Sequence, residues 1–382
     1  MWKPNNPEKE FKDIVFINQD SGYLMIDIVN VHVNAGYSCI LVAGRIVERS
    51  IALDSSVIVE KIIRYNRDSV AKRLFTWLWA TLQIIWIIKT KYRKSKLFIV
   101  SNPPLATLIP LVVNNSYSIL IFDIFPDAIV DLGFSSEKWF FVNWWKKANR
   151  KVYSKADRIF TISEGMKLVL QNNINDREIE LVSIWSDNIF LKRIEPSINH
   201  FITKHNLQGK FVVLYSGNIG LSGQIDTLVD IAANTTGEDI IFVIIGEGAK
   251  KKWLEFKVAE LKLRNVLVLP WQPVEDLPYS LSSANVAVVG TEQKASKLSM
   301  PSKIFSYLSV GAPILGLADE DAELANFIKQ YKIGRTFNSS MLMESIKYIE
   351  WLKCNPEEWD QISKNSLITS EKFTNTNATK FL

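Results

Sequence analysis

The sequence predicts an α/β protein with two domains, each built on a doubly wound parallel sheet. The chain has 382 residues, which suggests two domains of ordinary size. Its residues are 47% hydrophobic and 22% charged, a balance typical of globular proteins. Short apolar runs, each followed by a turn and helix-like sequence, recur in both halves of the chain. Short buried strands that alternate with helices are typical of parallel sheets.

The first half carries strand candidates separated by helical sequence. A helical stretch follows the first strand and runs to about Ala35, where Gly36 closes it. The strand candidates are residues 13–18, 38–43, 97–100, 119–122 and 158–162. The pattern becomes polar around residues 192–205, and we therefore expect a first domain over 1–195 and a linker after it.

The second half repeats the same alternation from about Gln208 onward. Ile225, Leu228, Val229 and Ala232 follow the spacing of one apolar helix face. The strand candidates here are residues 211–215, 240–245, 266–269 and 286–289. We expect a second domain over 205–360.

Composition excludes several classes of protein. Cys39 and Cys354 lie far apart and indicate no disulfide framework, which fits a reducing compartment. The three histidines form no zinc-spaced cluster with them, so we expect no metal. The first residues lack an apolar segment, and we expect no secretory signal peptide. The net charge of +5 is concentrated in basic stretches at 61–96 and 138–158, which are typical of solvated faces, nucleic-acid contacts or anionic lipid contacts.

Three segments of the second half carry the strongest signals for a ligand. Tyr-Ser-Gly-Asn-Ile-Gly at 215–220 and Ile-Gly-Glu-Gly at 245–248 each join a strand to a helix, where glycines permit close approach of a ligand and helix N–H groups favour phosphate. Neither is a dinucleotide fingerprint, which disfavours a dehydrogenase. In the third segment, at 300–314, Pro301 and Gly311 bracket a short helix whose first turn offers Ser302 and Lys303 to a diphosphate. Tight turns, solvated lysines and a well-capped helix are the alternative interpretations.

The order and spacing of these segments resemble the nucleotide-sugar domain of glycosyltransferase family 4, in a branch that builds capsule, O-antigen or exopolysaccharide. Leu-Pro-Trp-Gln-Pro at 269–273 falls where that family contacts the base. The resemblance implies a GT-B fold, in which two Rossmann-like domains face each other across a cleft and a C-terminal helix, about 360–382 here, crosses back onto the first domain. It also implies donor-binding residues, which are Gly217, Asn218, Gly220, Gly246, Gly248, Lys250, Trp271, Pro301, Ser302 and Ser306.

The resemblance further implies retaining transfer without a metal or another cofactor, with the donor's own phosphate oxygen taking the acceptor proton. Lys303 is the cation expected to stabilise the leaving diphosphate, with Lys250 in reserve. The chain departs from the family where many members carry a Glu-x7-Glu pair, because Leu298 and Ser306 occupy those positions. This departure leaves two alternatives open: a non-catalytic GT-B partner of a transferase, and a sugar-nucleotide epimerase.

Polar residues also follow successive strands of the first half. Ser-Asn-Pro-Pro at 101–104 and Asp-Ile-Phe-Pro-Asp at 123–127 resemble the same branch of the family, and they lie at the usual edge for α/β sites. We expect Asn102 and Asp127 on the acceptor side. Asp123 is the candidate that orients or partly deprotonates the acceptor hydroxyl, although capping roles for both aspartates remain an alternative.

Aromatic and basic residues predict contact between the first domain and a membrane. The charge-free stretch at 74–88 has 15 residues, short for a membrane span of ~20, and is interpreted as a domain helix. Interleaved aromatics and lysines favour the lipid headgroup boundary, with an aromatic core as the alternative. The candidate contacts are Trp139, Trp144, Trp145, Lys146 and Lys147.

The sequence thus predicts a cytoplasmic transferase, peripheral on the inner face of the cell membrane. A nucleotide-sugar donor, with UDP favoured, and a polyprenyl-diphosphate-linked saccharide acceptor are its expected partners. No nucleic-acid-binding motif is present, so no nucleic acid is expected.

Overall fold

The chain forms two compact units in a computed structural model, which describes residues 13–66, 69–131, 139–174, 177–220, 224–291 and 300–382. Unit 1 comprises Met1–Ser183 together with Asn377–Leu382, and unit 2 comprises Ile184–Thr376. Leu298, one of the two positions of the expected glutamate pair, lies outside the described residues.

Unit 1 is built on a parallel sheet in the order β5-β3-β1-β6-β7-β8-β9, and β2 pairs separately with β4. The chain order reverses between β1 and β6, so the carboxyl ends of these strands flank a crevice of the kind that binds ligands in α/β proteins. The strands are β1 (Asp13–Ile17), β2 (Asp20–Ser21), β3 (Ser38–Ala43), β4 (Arg45–Ile46), β5 (Ile58–Lys61), β6 (Lys96–Val100), β7 (Tyr117–Ile121), β8 (Ile159–Thr161) and β9 (Glu180–Leu181).

Helices cover this sheet and close a hydrophobic core. Ile40 and Ile99 from the strands belong to one buried cluster with Ile84 and Ile88 of the long second helix. A 3₁₀ segment, Pro104–Leu111, follows β6. The helices of unit 1 are α1 (Tyr23–Asn34), α2 (Val70–Lys91), α3 (Asp127–Asp131), α4 (Phe140–Tyr153) and α5 (Glu164–Asn173).

Unit 2 has a second parallel sheet, in the order β12-β11-β10-β13-β14-β15. This is the doubly wound order 3-2-1-4-5-6, with its reversal between β10 and β13. Its strands are β10 (Phe211–Ser216), β11 (Ile240–Ile245), β12 (Val266–Leu269), β13 (Val286–Gly290), β14 (Ile314–Leu317) and β15 (Gly334–Phe337).

The helices of unit 2 bury the apolar face that the spacing predicted. Ile225, Leu228, Val229 and Ala232 are all buried, in one cluster with Phe242 of β11. The helices are α6 (His200–Lys204), α7 (Ile225–Asn234), α8 (Lys251–Glu260), α9 (Leu277–Ser282), α10 (Lys303–Ser309), α11 (Glu323–Tyr331), α12 (Leu342–Cys354) and α13 (Pro356–Ser370). Short 3₁₀ turns occupy Pro196–Ile198, Val274–Asp276 and Asn375–Phe381.

The division between the units differs from the expected linker around 192–205. Residues 184–195 belong to unit 2. Asn188 explains why, because its Nδ2 donates to the Ser370 carbonyl oxygen at 2.9 Å and its Oδ1 accepts from Ser309 Oγ at 2.7 Å. These partly buried hydrogen bonds hold the polar segment against unit 2.

The C-terminal crossing also differs from expectation. Helix α13 stays with unit 2, where Ser363 Oγ and Ser366 Oγ donate to the carbonyl oxygens of Gly311 and Ala312 at 2.7 and 3.0 Å. Residues 377–382 alone return to unit 1. There the ring of Phe381 lies 4.8 Å from that of Phe160 and 5.8 Å from that of Phe98.

Candidate functional site

In unit 2, two glycine loops interlock at the carboxyl ends of β10 and β11. Gly217 N donates to the Ile245 carbonyl oxygen at 3.0 Å, and Ile219 N donates to that of Glu247 at 2.8 Å. Lys250 N donates back to the Ile219 carbonyl oxygen at 3.0 Å. The first two of the predicted donor segments therefore form one backbone unit beside the reversal point of the sheet.

The glycines of the second loop are required by this close approach. A Cβ on Gly246 would lie 1.9 Å from the Gly217 carbonyl oxygen, and one on Gly248 would lie 2.3 Å from that of Ile219. Both residues also have positive φ angles, 153° and 155°, which L-residues rarely adopt. The structure thus gives these glycines a packing role, and their predicted contact with a donor remains a prediction.

Two buried tyrosines hold the first loop in place. Tyr215 donates its hydroxyl to the Asn218 carbonyl oxygen at 2.8 Å. Tyr307 of α10 accepts from Ser216 N at 2.7 Å through its hydroxyl oxygen. Burial raises the pKa of Tyr215 to about 12 and raises that of Tyr307 further, so both are neutral hydrogen-bonding groups. Sequence reasoning did not single them out, although both lie within the quoted segments.

Lys303, the expected cation, lies against this loop. Its Nζ is 3.7 Å from the centroid of the Tyr215 ring, and it lies 3.2 Å from the position that a Cβ on Gly217 would occupy. Burial lowers the pKa of Lys303 to about 7. No carboxylate in the described part of the chain pairs with Lys303. The protonated Lys303 is therefore a cation that no acidic side chain among the described residues neutralises. Its partly buried environment strengthens its interaction with a bound anion.

Lys250, the reserve cation, is already engaged. Its ammonium group pairs with the Asp226 carboxylate and also lies 5.5 Å from the Trp253 ring centroid. The neighbouring Lys251, the first residue of α8, pairs with Glu247 of the preceding glycine loop. The structure therefore favours Lys303 over Lys250 as the group that meets a diphosphate.

The remaining predicted donor residues lie around the same sheet edge. Trp271 follows β12 and is 52% exposed, so its indole is open to a ligand. Ser302 is exposed directly before α10, and Ser306 lies partly buried within that helix. Pro301 precedes Ser302 and is partly buried, whereas Asn218 is exposed and Gly220 is buried in the first loop.

In unit 1, the predicted acceptor residues lie at the carboxyl ends of β6 and β7. Ser101 Oγ accepts from the backbone N–H groups of Phe122 and Asp123 at 3.0 and 3.2 Å, which fixes the turn that presents Asp123. Desolvation by the surrounding protein raises the pKa of the Asp123 carboxyl, which makes its ionised form a stronger base. Asn102 lines the same pocket as Asp123.

Asp127 has a structural role in addition to any contact with an acceptor. It begins the short helix α3, and its carboxylate pairs with Lys146 of α4 at 2.7 Å. This ion pair joins two segments of unit 1 and gives Lys146 a partner within the protein. The carboxylate of Asp127 is therefore engaged in an ion pair, and its predicted contact with an acceptor stays a prediction.

The aromatic cluster of α4 divides between the interior and the surface. Trp145 is 3% exposed and its ring stacks on Phe125 at 6.2 Å, so its predicted contact with the membrane surface is wrong: packing holds the indole inside unit 1. Trp139 and Trp144 are 56% and 45% exposed, and Lys147 is exposed as well. These three remain available for a contact with a membrane.

The stretch at 74–88 lies within α2, which is a domain helix as predicted. One side of α2 packs in the core through Ala80, Ile84 and Ile88. The opposite side exposes a further set of large apolar residues, which are Leu74, Phe75, Leu78, Trp79, Leu82 and Trp86. Among the described residues, no helix combines the length and the hydrophobicity that crossing a membrane requires.

Comparison with known proteins shows a similarity to glycosyltransferases in sequence. Residues 197–367 match the family model of glycosyl transferases group 1. The probable glycosyltransferase WbjE of Pseudomonas aeruginosa is 26% identical over 222 residues, which are 56% of this chain and 54% of WbjE. The putative colanic acid biosynthesis glycosyl transferase WcaI of Escherichia coli K12 is 25% identical over 179 residues, 46% of this chain and 44% of WcaI. The chain thus spans about half the length of the curated relatives it matches.

Solved structures extend the likeness to nearly the whole chain at the level of the fold. The crystal structure of Anabaena Alr3699/HepE in complex with UDP has a TM-score of 0.70 and 13% sequence identity, and the match covers 96% of this chain and 97% of that one. WaaG, a glycosyltransferase involved in lipopolysaccharide biosynthesis, has a TM-score of 0.69 and 11% identity, with 96% and 98% covered. The expected α/β class and the resemblance to GT-B glycosyltransferases are confirmed. The chain has the GT-B fold, and residues 197–367, which lie in its second unit, are similar to glycosyl transferases group 1.

Proposed function

We propose that this protein transfers a sugar from a nucleoside-diphosphate sugar to a lipid-linked saccharide during synthesis of a cell-surface polysaccharide. The observation that carries the proposal is Lys303, an ammonium group without a carboxylate partner in the described chain, held against the Gly217 loop at the reversal point of the unit 2 sheet. UDP is the favoured nucleotide, because Alr3699/HepE, which has the same fold, was crystallised with UDP and with UDP-glucose.

The donor is proposed to bind along the carboxyl edge of the unit 2 sheet. Its diphosphate lies between the Gly217 loop and the start of α10, within reach of Lys303, and its base lies near Trp271. Tyr215 and Tyr307 hold the loop rigid before the donor arrives, which reduces the entropy lost on binding.

The proposed reaction is retaining and needs no metal. The bond between the anomeric carbon and the diphosphate oxygen breaks, and the acceptor hydroxyl oxygen bonds to the same face of that carbon. The hydroxyl proton passes to an oxygen of the leaving diphosphate. Lys303 stabilises the negative charge that develops on this diphosphate, a contribution that is larger in a partly buried site than in water. Asp123 orients the acceptor hydroxyl.

Unit 1 is proposed to meet the acceptor and the membrane. Trp139, Trp144 and Lys147 are exposed on α4, and an indole beside a lysine suits the boundary between headgroups and acyl chains. Each exposed basic residue near an anionic surface contributes roughly 1 kcal/mol. Several such residues together would hold the enzyme reversibly at the inner face of the membrane.

A panel of nucleotide sugars tests the donor. The protein is titrated with UDP-, GDP- and ADP-sugars while its thermal unfolding is followed, because a bound donor raises stability by mass action. The best donor is then incubated with a lipid-linked saccharide in the presence and absence of a chelator. We expect transfer that survives the chelator and a product that keeps the donor's anomeric configuration by NMR. Inversion, or loss of activity in the chelator, contradicts the proposed mechanism.

The serine at position 306 supports one alternative, a non-catalytic partner that binds a nucleotide weakly. A serine hydroxyl accepts a hydrogen bond from a ribose with less strength than a carboxylate does. Detectable turnover by the isolated protein excludes this alternative. Binding of UDP without transfer to any acceptor supports it.

A further inference from the structure

Unit 1 contains an apolar pocket with a volume of about 720 Å³. This volume falls within the range of roughly 300–1,000 Å³ that is usual for small-molecule sites. Residues of α2, α4 and the Pro104–Leu111 segment line it, and Asn102 and Asp123 lie along its wall. It therefore opens at the sheet edge where α/β proteins bind ligands.

Aromatic rings form one continuous wall of this pocket. The ring of Tyr65 stacks on Trp77 at 5.8 Å, and Trp77 meets the edge of Phe125 at 6.2 Å. Phe125 stacks on Trp145 at 6.2 Å, and Trp145 contacts Phe141 at 5.7 Å. All five rings line the pocket. Mutual packing of this kind gives an apolar ligand a preformed surface, so little ordering is needed when it binds.

Two N–H groups in this apolar pocket have no partner among the described residues. Arg73 Nε and Trp145 Nε1 are both buried and make no hydrogen bond. Both groups are donors, and Arg73 carries a permanent positive charge. A buried donor without an acceptor costs free energy, so the lining is incomplete without a ligand that brings oxygen acceptors. An apolar wall combined with an unpaired cationic donor fits a molecule that has an apolar chain joined to an anionic phosphate.

We propose that this pocket binds the first isoprene units and the adjoining phosphate of a polyprenyl-diphosphate-linked acceptor. The chain lies against the aromatic wall, and phosphate oxygens accept from Arg73 and Trp145. The proposal rests on the proposed function, because that function supplies the lipid-linked acceptor. Asp123 lies on the pocket wall, and its position determines how the acceptor is oriented. The saccharide beyond the phosphate extends toward the Asp123 carboxyl, whose pKa is raised.

The test uses farnesyl phosphate as a short soluble probe of the full-length protein, followed by isothermal titration calorimetry. Farnesol lacks the phosphate, and inorganic phosphate lacks the chain. We expect saturable binding of farnesyl phosphate, at least tenfold weaker binding of farnesol, and no detectable binding of inorganic phosphate. The absence of saturable farnesyl phosphate binding overturns the proposal.

Matched variants separate the pocket from the rest of the surface. Arg73→Met should weaken farnesyl phosphate binding at least tenfold, since it removes a charge-assisted donor. Lys89→Met removes the same charge from an exposed position of the same helix and should leave binding unchanged. Leu78→Trp fills the pocket from an exposed position and should block binding, whereas Leu82→Trp, exposed on α2 but not part of the lining, should not. Equal losses in Arg73→Met and Lys89→Met would show general adsorption and overturn the proposal.

Two further measurements separate this inference from the proposed function and from bulk lipid. Stabilisation of the protein by UDP reports donor binding in unit 2, so UDP binding without farnesyl phosphate binding overturns the pocket and leaves the transferase proposal standing. Farnesyl phosphate binding that depends on Arg73, in a protein that transfers no sugar, supports the pocket and removes the transferase. Vesicles of phosphatidylglycerol that displace farnesyl phosphate at equal lipid concentration would assign the pocket to bulk lipid and overturn the proposal.

Discussion

The lowered pKa of Lys303 determines how the affinity for a nucleoside diphosphate should depend on pH. In the free protein this pKa is about 7 because the ammonium group is buried. A bound diphosphate raises it, because an opposite charge stabilises the protonated form. The diphosphate therefore binds the protonated protein, and its affinity must fall as the pH rises above 7.

The magnitude follows from the titration of one group. About half of the Lys303 side chains are protonated at pH 7 and about 1% at pH 9, so the Kd for UDP should rise about 50-fold between these values. UDP is the appropriate probe, because it carries the leaving group that Lys303 is proposed to stabilise. An intact nucleotide sugar should show a smaller change.

Calorimetric titration with UDP at several pH values measures this effect. Lys303→Arg keeps its charge throughout and should bind UDP with little dependence on pH. Lys303→Met has no charge and should bind weakly at every pH. The ionisation of UDP itself changes the measured Kd equally in all three proteins, so its effect can be subtracted. A wild-type profile that matches the profile of Lys303→Met would refute the contact between Lys303 and the diphosphate.

The same structure predicts three effects on stability. Because the folded pKa of Lys303 lies below its unfolded value, the unfolded chain binds the extra proton between pH 7 and about 10.5. The buried ammonium group therefore lowers stability at pH 6, where Lys303→Met should raise the unfolding midpoint by roughly 10 °C, but not at pH 11; equal shifts at both pH values would contradict this. Tyr307→Phe leaves the buried Ser216 N–H without its acceptor and should lower the free energy of unfolding by ~1–3 kcal/mol in urea titrations. An unchanged free energy of unfolding would show that Tyr307 does not stabilise the loop in this way. Trp145→Ala should lower the free energy of unfolding by ~3–5 kcal/mol, because Trp145 is buried, and Trp144→Ala should lower it by less than ~0.5 kcal/mol, because Trp144 is exposed. Similar losses in the two variants would contradict this difference.

Local patterns in the sequence predicted the central strands of the first sheet and four of the six strands of the second. The strand predicted at 240–245 coincides with β11, and that at 38–43 coincides with β3. These strands are buried in parallel sheets, where an apolar run bounded by turn residues marks the element directly. The strands β2, β4, β5, β9, β14 and β15 were not predicted. In β5 and β9, half-exposed residues such as Glu60 and Glu180 interrupt the apolar pattern.

Features that depend on contacts distant in sequence could not be predicted. The division between the units depends on Asn188, whose partners Ser309 and Ser370 lie more than a hundred residues away. The orientation of Trp145 likewise depends on Phe125, which belongs to another segment. An aromatic cluster in a sequence does not show which ring the fold will bury.

The candidate site in unit 2 was likewise only partly predictable from the sequence. Its glycines and Lys303 were identified from residue type and position, since both point to an anion beside backbone N–H groups. Tyr215 and Tyr307 were not identified, because their hydroxyl groups bond the backbone of the loop, and for Tyr307 this contact requires α10 and β10 to be packed together.

Transfer of a labelled sugar tests the central claim most directly. The wild-type chain is incubated with the nucleotide sugar that stabilises it best and with a polyprenyl-diphosphate-linked saccharide, and labelled lipid is counted over time. Lys303→Ala is compared with Lys252→Ala, which removes an exposed lysine near the same sheet edge. The account predicts transfer by the wild type and by Lys252→Ala, and a rate at least a hundredfold lower for Lys303→Ala, with a smaller change in donor affinity. Equal rates for the two variants would contradict it.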